Sequence, residues 1–158
     1  MFSYLGKSGD TRATLYRPHV DGKLLGVSFI TVGEVLFGAY KNKWGSAKLE
    51  QIKARLRSVT IVPYDWAICQ TYGELKARLQ EIGKSVADND LWIAACAVRH
   101  SIPLVSNNRA HFENIPGLVL ISEAPIVAQV ASQQKLFKDQ KAPDDSESEP
   151  PSSKTPSS

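Results

Sequence analysis

Short β-branched segments alternate with predicted helices along most of this chain, and this alternation constrains the fold more than any other feature. Segments 59–62, 102–106 and 118–121 have the residue types of buried strands. Strands that are separated by helices need crossover connections, and such connections join parallel strands. The sequence therefore predicts an α/β fold in three layers, with a parallel sheet flanked by helices.

The first predicted helix carries an acidic residue on its apolar side. Ser28 or Thr31 can cap its N-terminus, and Ile30, Glu34 and Phe37 follow at helical spacing. A carboxylate on a face that packs against the core costs several kcal/mol unless a cation meets it. Glu34 is therefore a candidate site residue. The alternative is a glutamate that bends out to solvent or pairs with a lysine.

Two further helices are predicted from regular apolar stripes. One covers residues 48–57, with lysines and arginines on its other faces. The other begins at Asp65, which can cap it, and ends at Gly83. The predicted buried stripe of this longer helix comprises Ile68, Tyr72, Leu75, Leu79 and Ile82.

A fourth helix begins at the polar segment 88–90 and continues through closely spaced alanines, which predict tight packing against a neighbouring element. Asp90 is the second candidate site residue, although capping of the helix is the simpler explanation of an acid at this place. Asn107 and Asn108 follow the 102–106 strand, where open parallel sheets place their ligands, but Asn-Asn is also common in tight turns. Oxygen ligands with no His or Cys nearby suit Mg²⁺ or Mn²⁺.

Length and composition indicate one domain without a membrane span. The chain has 158 residues, which is enough for a hydrophobic core. No apolar run approaches the ~20 residues of a membrane helix, and the N-terminus lacks the pattern of a secretory signal. We therefore expect a cytoplasmic protein.

The two cysteines, Cys69 and Cys96, are far apart in the sequence, and neither has another Cys or a His at the spacing of metal ligands. Buried reduced thiols are therefore expected.

The composition changes after residue 138. Residues 139–158 contain no aromatic or branched apolar side chain, so we expect a disordered tail after a domain that covers 1–138. The tail holds five acidic residues and two lysines, which leaves 17 basic against 11 acidic residues in the domain. This net charge of +6 is compatible with RNA and is also common on soluble surfaces. Candidate phosphate contacts are Lys41, Lys43, Arg55, Arg57 and Arg109.

Four ordered blocks of the sequence resemble the PIN-domain ribonucleases, and among them the VapC-type toxins of bacterial toxin–antitoxin pairs. The blocks are the segment from Ser28 through Glu34 to Gly38, residues 72–79, the run Asn-Asp90-Leu-Trp-Ile-Ala-Ala, and residues 102–118 with Val-Ser-Asn-Asn108. Their order and spacing are a more specific signal than any one block. The resemblance covers residues 2 to 121.

The resemblance implies a magnesium-dependent endoribonuclease, with Mn²⁺ as a possible substitute. Glu34 and Asp90 match the acidic positions that hold the metal, and Glu34 would complete the shell through water or orient the attacking water. Asn108 stands where many relatives have aspartate and would be a weaker, neutral ligand. The expected partners are an RNA substrate, a cognate antitoxin and a second copy of the chain in a homodimer.

One departure from the family concerns the start of the chain. The family opens with a central strand that ends in Asp-Thr-Asn, whose aspartate is the first metal ligand, and Met1 stands beyond that motif. The resemblance therefore implies that this strand and its aspartate are missing, with a large loss of metal affinity and turnover. The alternative function is an inactive remnant that still binds antitoxin or RNA. A third possible function is that of a small α/β interaction module in which the acids only cap helices.

Overall fold

The computed structural model describes residues 11–124, and its first element is a helix that we did not predict. This helix, α1 (Thr11–Val20), contains Pro18, and an internal proline argues against a helix in sequence analysis. Tyr16 and Val20, one turn apart, are buried. The expected missing strand at the start of the chain and the expected tail over 139–158 lie outside the described residues.

Four strands form two parallel pairs. β1 (Gly26–Ser28) pairs with β2 (Thr60–Val62), and β3 (Leu104–Val105) pairs with β4 (Leu120–Ile121). The predicted parallel pairing is confirmed. Within residues 11–124, the pairs make two separate two-stranded sheets. β1 was not predicted, because its three residues include a single β-branched side chain.

Five further helices complete the described chain, and the two predicted caps are confirmed. Ser28 Oγ accepts a hydrogen bond from the Thr31 N–H at 3.1 Å, and Asp65 Oδ1 accepts one from the Ile68 N–H at 2.7 Å. Among residues 11–124, no helix has the length and apolar character needed to cross a membrane. The five helices are α2 (Phe29–Lys41), α3 (Ser46–Arg57), α4 (Trp66–Glu81), α5 (Asp88–Arg99) and α6 (Arg109–Phe112).

Helix α4 ends at the predicted glycine. Gly83 has a φ of 65°, and its N–H donates to the Gln80 carbonyl while the Lys84 N–H donates to the Leu79 carbonyl. These two bonds form a Schellman motif, which favours glycine because the left-handed backbone crowds a Cβ atom. Ile82, predicted to be buried, precedes this turn as the C-cap residue and is 60% exposed. The buried stripe of α4 therefore ends before Ile82.

The core lies around α4 and α5, which make the largest contact between any two helices. Ala94, Ala95 and Ala97 are all buried, so the predicted close approach at the alanine-rich segment is confirmed. Cys96 is buried and Cys69 half-buried, both as free thiols, and burial raises the pKa of the Cys96 thiol to about 11. The main cluster comprises Ile68, Leu75, Leu79, Leu91, Ala94, Ala95, Cys96, Phe112 and Ile115.

Replacing a core isoleucine of α4 should destabilise the protein far more than replacing the exposed one at its end. Ile68 is 0% exposed, and Ile68→Ala should cost about 2–5 kcal/mol because it removes buried methyl groups and leaves a cavity. Ile82→Ala, at the 60% exposed position, should change stability by less than about 0.5 kcal/mol. Urea unfolding monitored by circular dichroism measures both. Equal losses would contradict the core described here.

Candidate active site

Three consecutive polar side chains at the start of α5 make contacts with three other helices. The N-cap position is Ala87, and no side chain caps this helix. Asp88 contacts α4, Asn89 contacts α2 and Asp90 contacts α6. Capping by these side chains, the simpler alternative for Asp90, is therefore wrong.

Asp90 lies against a histidine that the sequence analysis did not identify. His111 Nδ1 is 2.7 Å from Asp90 Oδ2, and the two side chains are 52% and 20% exposed. His111 belongs to α6, the short helix that follows β3. The expectation that no histidine lies near the candidate ligands is therefore wrong. The sequence feature that could have identified His111 is its position three residues after Asn108, a candidate site residue.

Glu34 and the first turn of α5 are brought together by Asn89. The Asn89 Nδ2 amide donates a hydrogen bond to Glu34 Oε1 at 3.0 Å, and α2 packs against α5. Asn89 is adjacent to Asp90 in the chain. The two predicted acids thus come from separate helices that meet at this turn, where Asn89 contacts Glu34.

The expected orientation of α2 is wrong. Glu34 is exposed, and so is Phe37 at 64%, so the face that carries them points away from the core. Ala39 is the buried residue of this helix. Apolar side chains occur almost all round α2, so periodicity could not select the buried face. Glu34 consequently needs no cation to offset burial.

A second polar network ties Asp88 to α4. Lys76 Nζ and the Tyr72 hydroxyl both donate to Asp88 Oδ1 at 2.8 Å, and Lys76 Nζ is also 3.0 Å from the Tyr72 hydroxyl. The Tyr72 ring stacks on Trp92, with centroids 3.9 Å apart and an angle of 10°. The Tyr72 hydroxyl, bonded to Asp88, and the Tyr72 ring, stacked on Trp92, therefore both fix the start of α5 against α4.

This network shifts the protonation of both charged groups. The hydrogen bond from Lys76, followed by that from Tyr72, lowers the pKa of Asp88 from its ordinary 3.8. The same bond to Asp88 raises the pKa of Lys76. Because the pKa of Asp88 is lower in the folded state, its stabilising effect is present above the unfolded pKa and is lost as pH falls through the folded pKa.

Asn107 and Asn108 follow β3, and neither has the left-handed backbone that favours Asn in tight turns. Asn108 precedes α6 with a φ of −95° and makes no side-chain cap. Its side chain is exposed, and its carbonyl accepts from the His111 N–H at 3.2 Å. Asn107 Oδ1 lies 3.3 Å from the Tyr16 hydroxyl. The structure therefore places Asn108 at the N-cap position of α6, one turn before His111.

The Tyr16 hydroxyl connects α1 to the ends of two strands. It lies 3.2 Å from the Ser106 carbonyl, which follows β3. It also accepts a hydrogen bond from the Glu123 N–H, just after β4, at 2.8 Å. The backbone around Asn107 is thus held by a helix that precedes it by about 90 residues in sequence.

One of the predicted phosphate contacts, Arg109, has structural partners instead. Arg109 donates from Nε to the Ala124 carbonyl at 2.8 Å, and from Nη2 to the Ser122 carbonyl. This arginine fixes the chain after β4. Trp92 stacks on Tyr72, as described above, whereas Lys48 Nζ lies 3.8 Å above the Trp44 ring.

The donor atoms of this site suit a hard divalent cation, although they do not enclose one. Glu34 and Asp90 supply carboxylate oxygens, and His111 supplies an imidazole nitrogen. Within residues 11–124, no group of three or more His, Cys, Asp or Glu side chains is close enough to hold a metal ion alone. An ion here would therefore keep several water ligands, which is the usual state of protein-bound Mg²⁺.

Breaking the contact between Lys76 and Asp88 should raise the pKa of Asp88 towards 3.8. Lys76→Met removes the hydrogen bond that lowers the pKa of Asp88 most and leaves the one from Tyr72. A carboxyl-carbon NMR titration of Asp88 measures the shift. Lys53→Met is the matched control, because Lys53 pairs with Glu50 on α3. An unchanged Asp88 midpoint in Lys76→Met would contradict the network.

Comparison with known proteins identifies the family of this chain. The PIN domain family matches residues 1–118. Ribonuclease VapC2 of Haemophilus influenzae is 37% identical over 92 residues, which cover 58% of this chain and 70% of that protein. The tRNA(fMet)-specific endonuclease VapC of Shigella flexneri is 29% identical over the same shares of each chain. The structure of VapBC2 from Rickettsia felis bound to a promoter DNA fragment superposes with a TM-score of 0.67, at 26% identity, over 77% of this chain and 92% of that one. The chain belongs to the PIN-domain family.

Proposed function

We propose that this chain is a VapC-type toxin that hydrolyses RNA phosphodiester bonds with the help of Mg²⁺. The observation that carries this proposal is the first turn of α5, which brings Asp90 beside His111 and Asn89 beside Glu34. These two contacts support the proposal that Glu34 and Asp90, from different helices, act at one site. Relatives named as ribonuclease and endonuclease VapC support the same reaction class.

The proposed roles follow from the position of each side chain. Asp90, which is 20% exposed, holds the ion. Glu34 is exposed and orients the attacking water, while Asn89 restrains its carboxylate. Asn108 contributes a neutral polar contact from the start of α6. When bound, Mg²⁺ neutralises charge on the scissile phosphate and lowers the pKa of water; Mn²⁺ can replace it.

The proposed partners are RNA, an antitoxin and a second copy of this chain. Solved structures similar to this one include VapBC assemblies from Rickettsia felis and Haemophilus influenzae. We propose that an antitoxin segment covers the groove over Glu34 and Asp90, and that the toxin acts as a homodimer in the cytoplasm, where its RNA substrate is found. We further propose that residues 1–138 form the catalytic domain and 139–158 an acidic tail.

Removing either carboxylate charge should abolish RNA cleavage without unfolding the protein. Glu34→Gln and Asp90→Asn keep the side-chain size, and each should lower the cleavage rate at least about 100-fold, since each removes a preorganised charge. The assay follows bulk tRNA with MgCl₂, and EDTA should stop the reaction. Circular dichroism checks the fold.

Glu81→Gln is the matched control, because this exposed residue ends α4 and makes no contact with the site described above. It should cleave at the wild-type rate. Wild-type protein that leaves tRNA intact in MgCl₂ would overturn the proposed cleavage by this chain and favour the inactive remnant that still binds antitoxin or RNA. Cleavage by Asp90→Asn at the wild-type rate would overturn the assigned site.

A further inference from the structure

We propose that single-stranded RNA runs along the exposed face of α2, where Phe37 stacks on a base and Lys41 contacts a phosphate. The inference rests on the proposed function in that it places this RNA beside Glu34. It assigns a substrate contact to Phe37, a side chain that the sequence analysis placed on the core side of the helix.

Glu34, Phe37 and Lys41 share one face of α2. Their spacing of three and four residues places them within about 60° of one another around the helix axis. All three are exposed, and Ala39, the buried residue of α2, lies on the opposite side of the helix. A strand that passes Glu34 and follows the helix axis therefore meets Phe37 after about 4.5 Å and Lys41 after about 10 Å.

The ring of Phe37 is open to solvent and has a cation beside it. Phe37 is 64% exposed, and Tyr40, one turn before the end of α2, is 60% exposed. Lys41 Nζ lies 5.7 Å from the centroid of the Phe37 ring. Proteins that bind single strands use this combination, because an aromatic ring stacks on a base while a nearby ammonium group contacts a phosphate.

Positive charge is concentrated in the segment that continues from this face. Residues 41–57 hold six basic residues and one acidic residue, and that acid, Glu50, is paired with Lys53 at 2.8 Å. The rest of the described chain, 11–40 and 58–124, holds eight basic and nine acidic residues. The segment 41–57 therefore carries the positive charge that attracts a polyanion.

The same charge disfavours a second copy of this chain as the occupant of this face. A symmetric dimer brings the same surface patch of both subunits together. Here it would place two Lys41 side chains and two basic segments against each other, and like charges at an interface weaken association. RNA phosphates neutralise these charges instead, so RNA fits the face better than a second copy does.

The experiment measures RNA binding without cleavage, on the full chain in EDTA. Fluorescence anisotropy follows a fluorescein-labelled single-stranded RNA of mixed sequence, and then the same strand annealed to its complement. We expect the wild-type protein to bind the single strand more tightly than the duplex, because paired and stacked bases do not offer their faces to Phe37.

Phe37→Ala should weaken binding of the single strand about 5- to 100-fold, with a much smaller effect on the duplex. Phe37→Tyr keeps the ring and should retain the preference for the single strand. Trp66→Ala is the matched control, because Trp66 is a 78% exposed aromatic residue at the start of α4. It should bind both RNAs as the wild-type protein does.

Lys41→Gln tests the phosphate contact through its salt dependence. The slope of log Kd against log KCl concentration should decrease by about 0.7, the value for one phosphate of a single strand. Arg99→Gln is the matched control, because it also removes one exposed positive charge, but at the other end of α5 from Asp90. Its slope should equal that of the wild-type protein, and an equal slope in Lys41→Gln would contradict the phosphate contact.

The outcomes separate this inference from the proposed function. Phe37→Ala that binds both RNAs as the wild-type protein does would overturn the inference, even if the protein cleaves tRNA in MgCl₂. A change in the oligomeric state of Phe37→Ala by analytical ultracentrifugation, with unchanged RNA binding, would assign the face to a second copy and also overturn it. Binding that depends on Phe37, in a protein that leaves tRNA intact in MgCl₂, would support the inference and overturn the proposed cleavage.

Discussion

The divergence of three consecutive side chains at the start of α5 determines the geometry of the candidate site. Successive residues of an α-helix point about 100° apart, so Asp88, Asn89 and Asp90 cannot share one neighbour. Each side chain contacts a residue of a different helix, at donor–acceptor distances of 2.7 to 3.0 Å. A single helical turn therefore sets the relative positions of α2, α4 and α6 around the site.

The core behind this turn supplies the stability that its surface contacts lack. Ion pairs as exposed as Lys76 with Asp88 stabilise a protein little on their own. Leu91, by contrast, is 1% exposed and begins the row of buried small residues that packs α5 against α4. The buried row holds the helix in place, and the polar contacts at its end orient the side chains that carry the chemistry.

The sequence predicted the elements of this fold better than the contacts between them. Helices α4 and α5 follow from regular stripes and clear end signals such as Asp65 and Gly83, because local preferences and packing agree there. The outward orientation of Glu34 could not be predicted, since α2 is apolar on nearly every side. His111 was missed for a different reason: its partner lies 21 residues away on another helix, and spacing along one helix carries no information about such a contact.

The bonds of Tyr16 have a consequence for how the chain folds. This hydroxyl joins residues 90 and 107 positions apart in sequence, whereas α4 and α5 are neighbours along the chain. Contacts between residues that are distant in sequence cost more loop-closure entropy, and they form more slowly than local contacts. We therefore expect the helical hairpin of α4 and α5 to form early, and α1 to dock onto the strand ends in a later step that completes the backbone around Asn107.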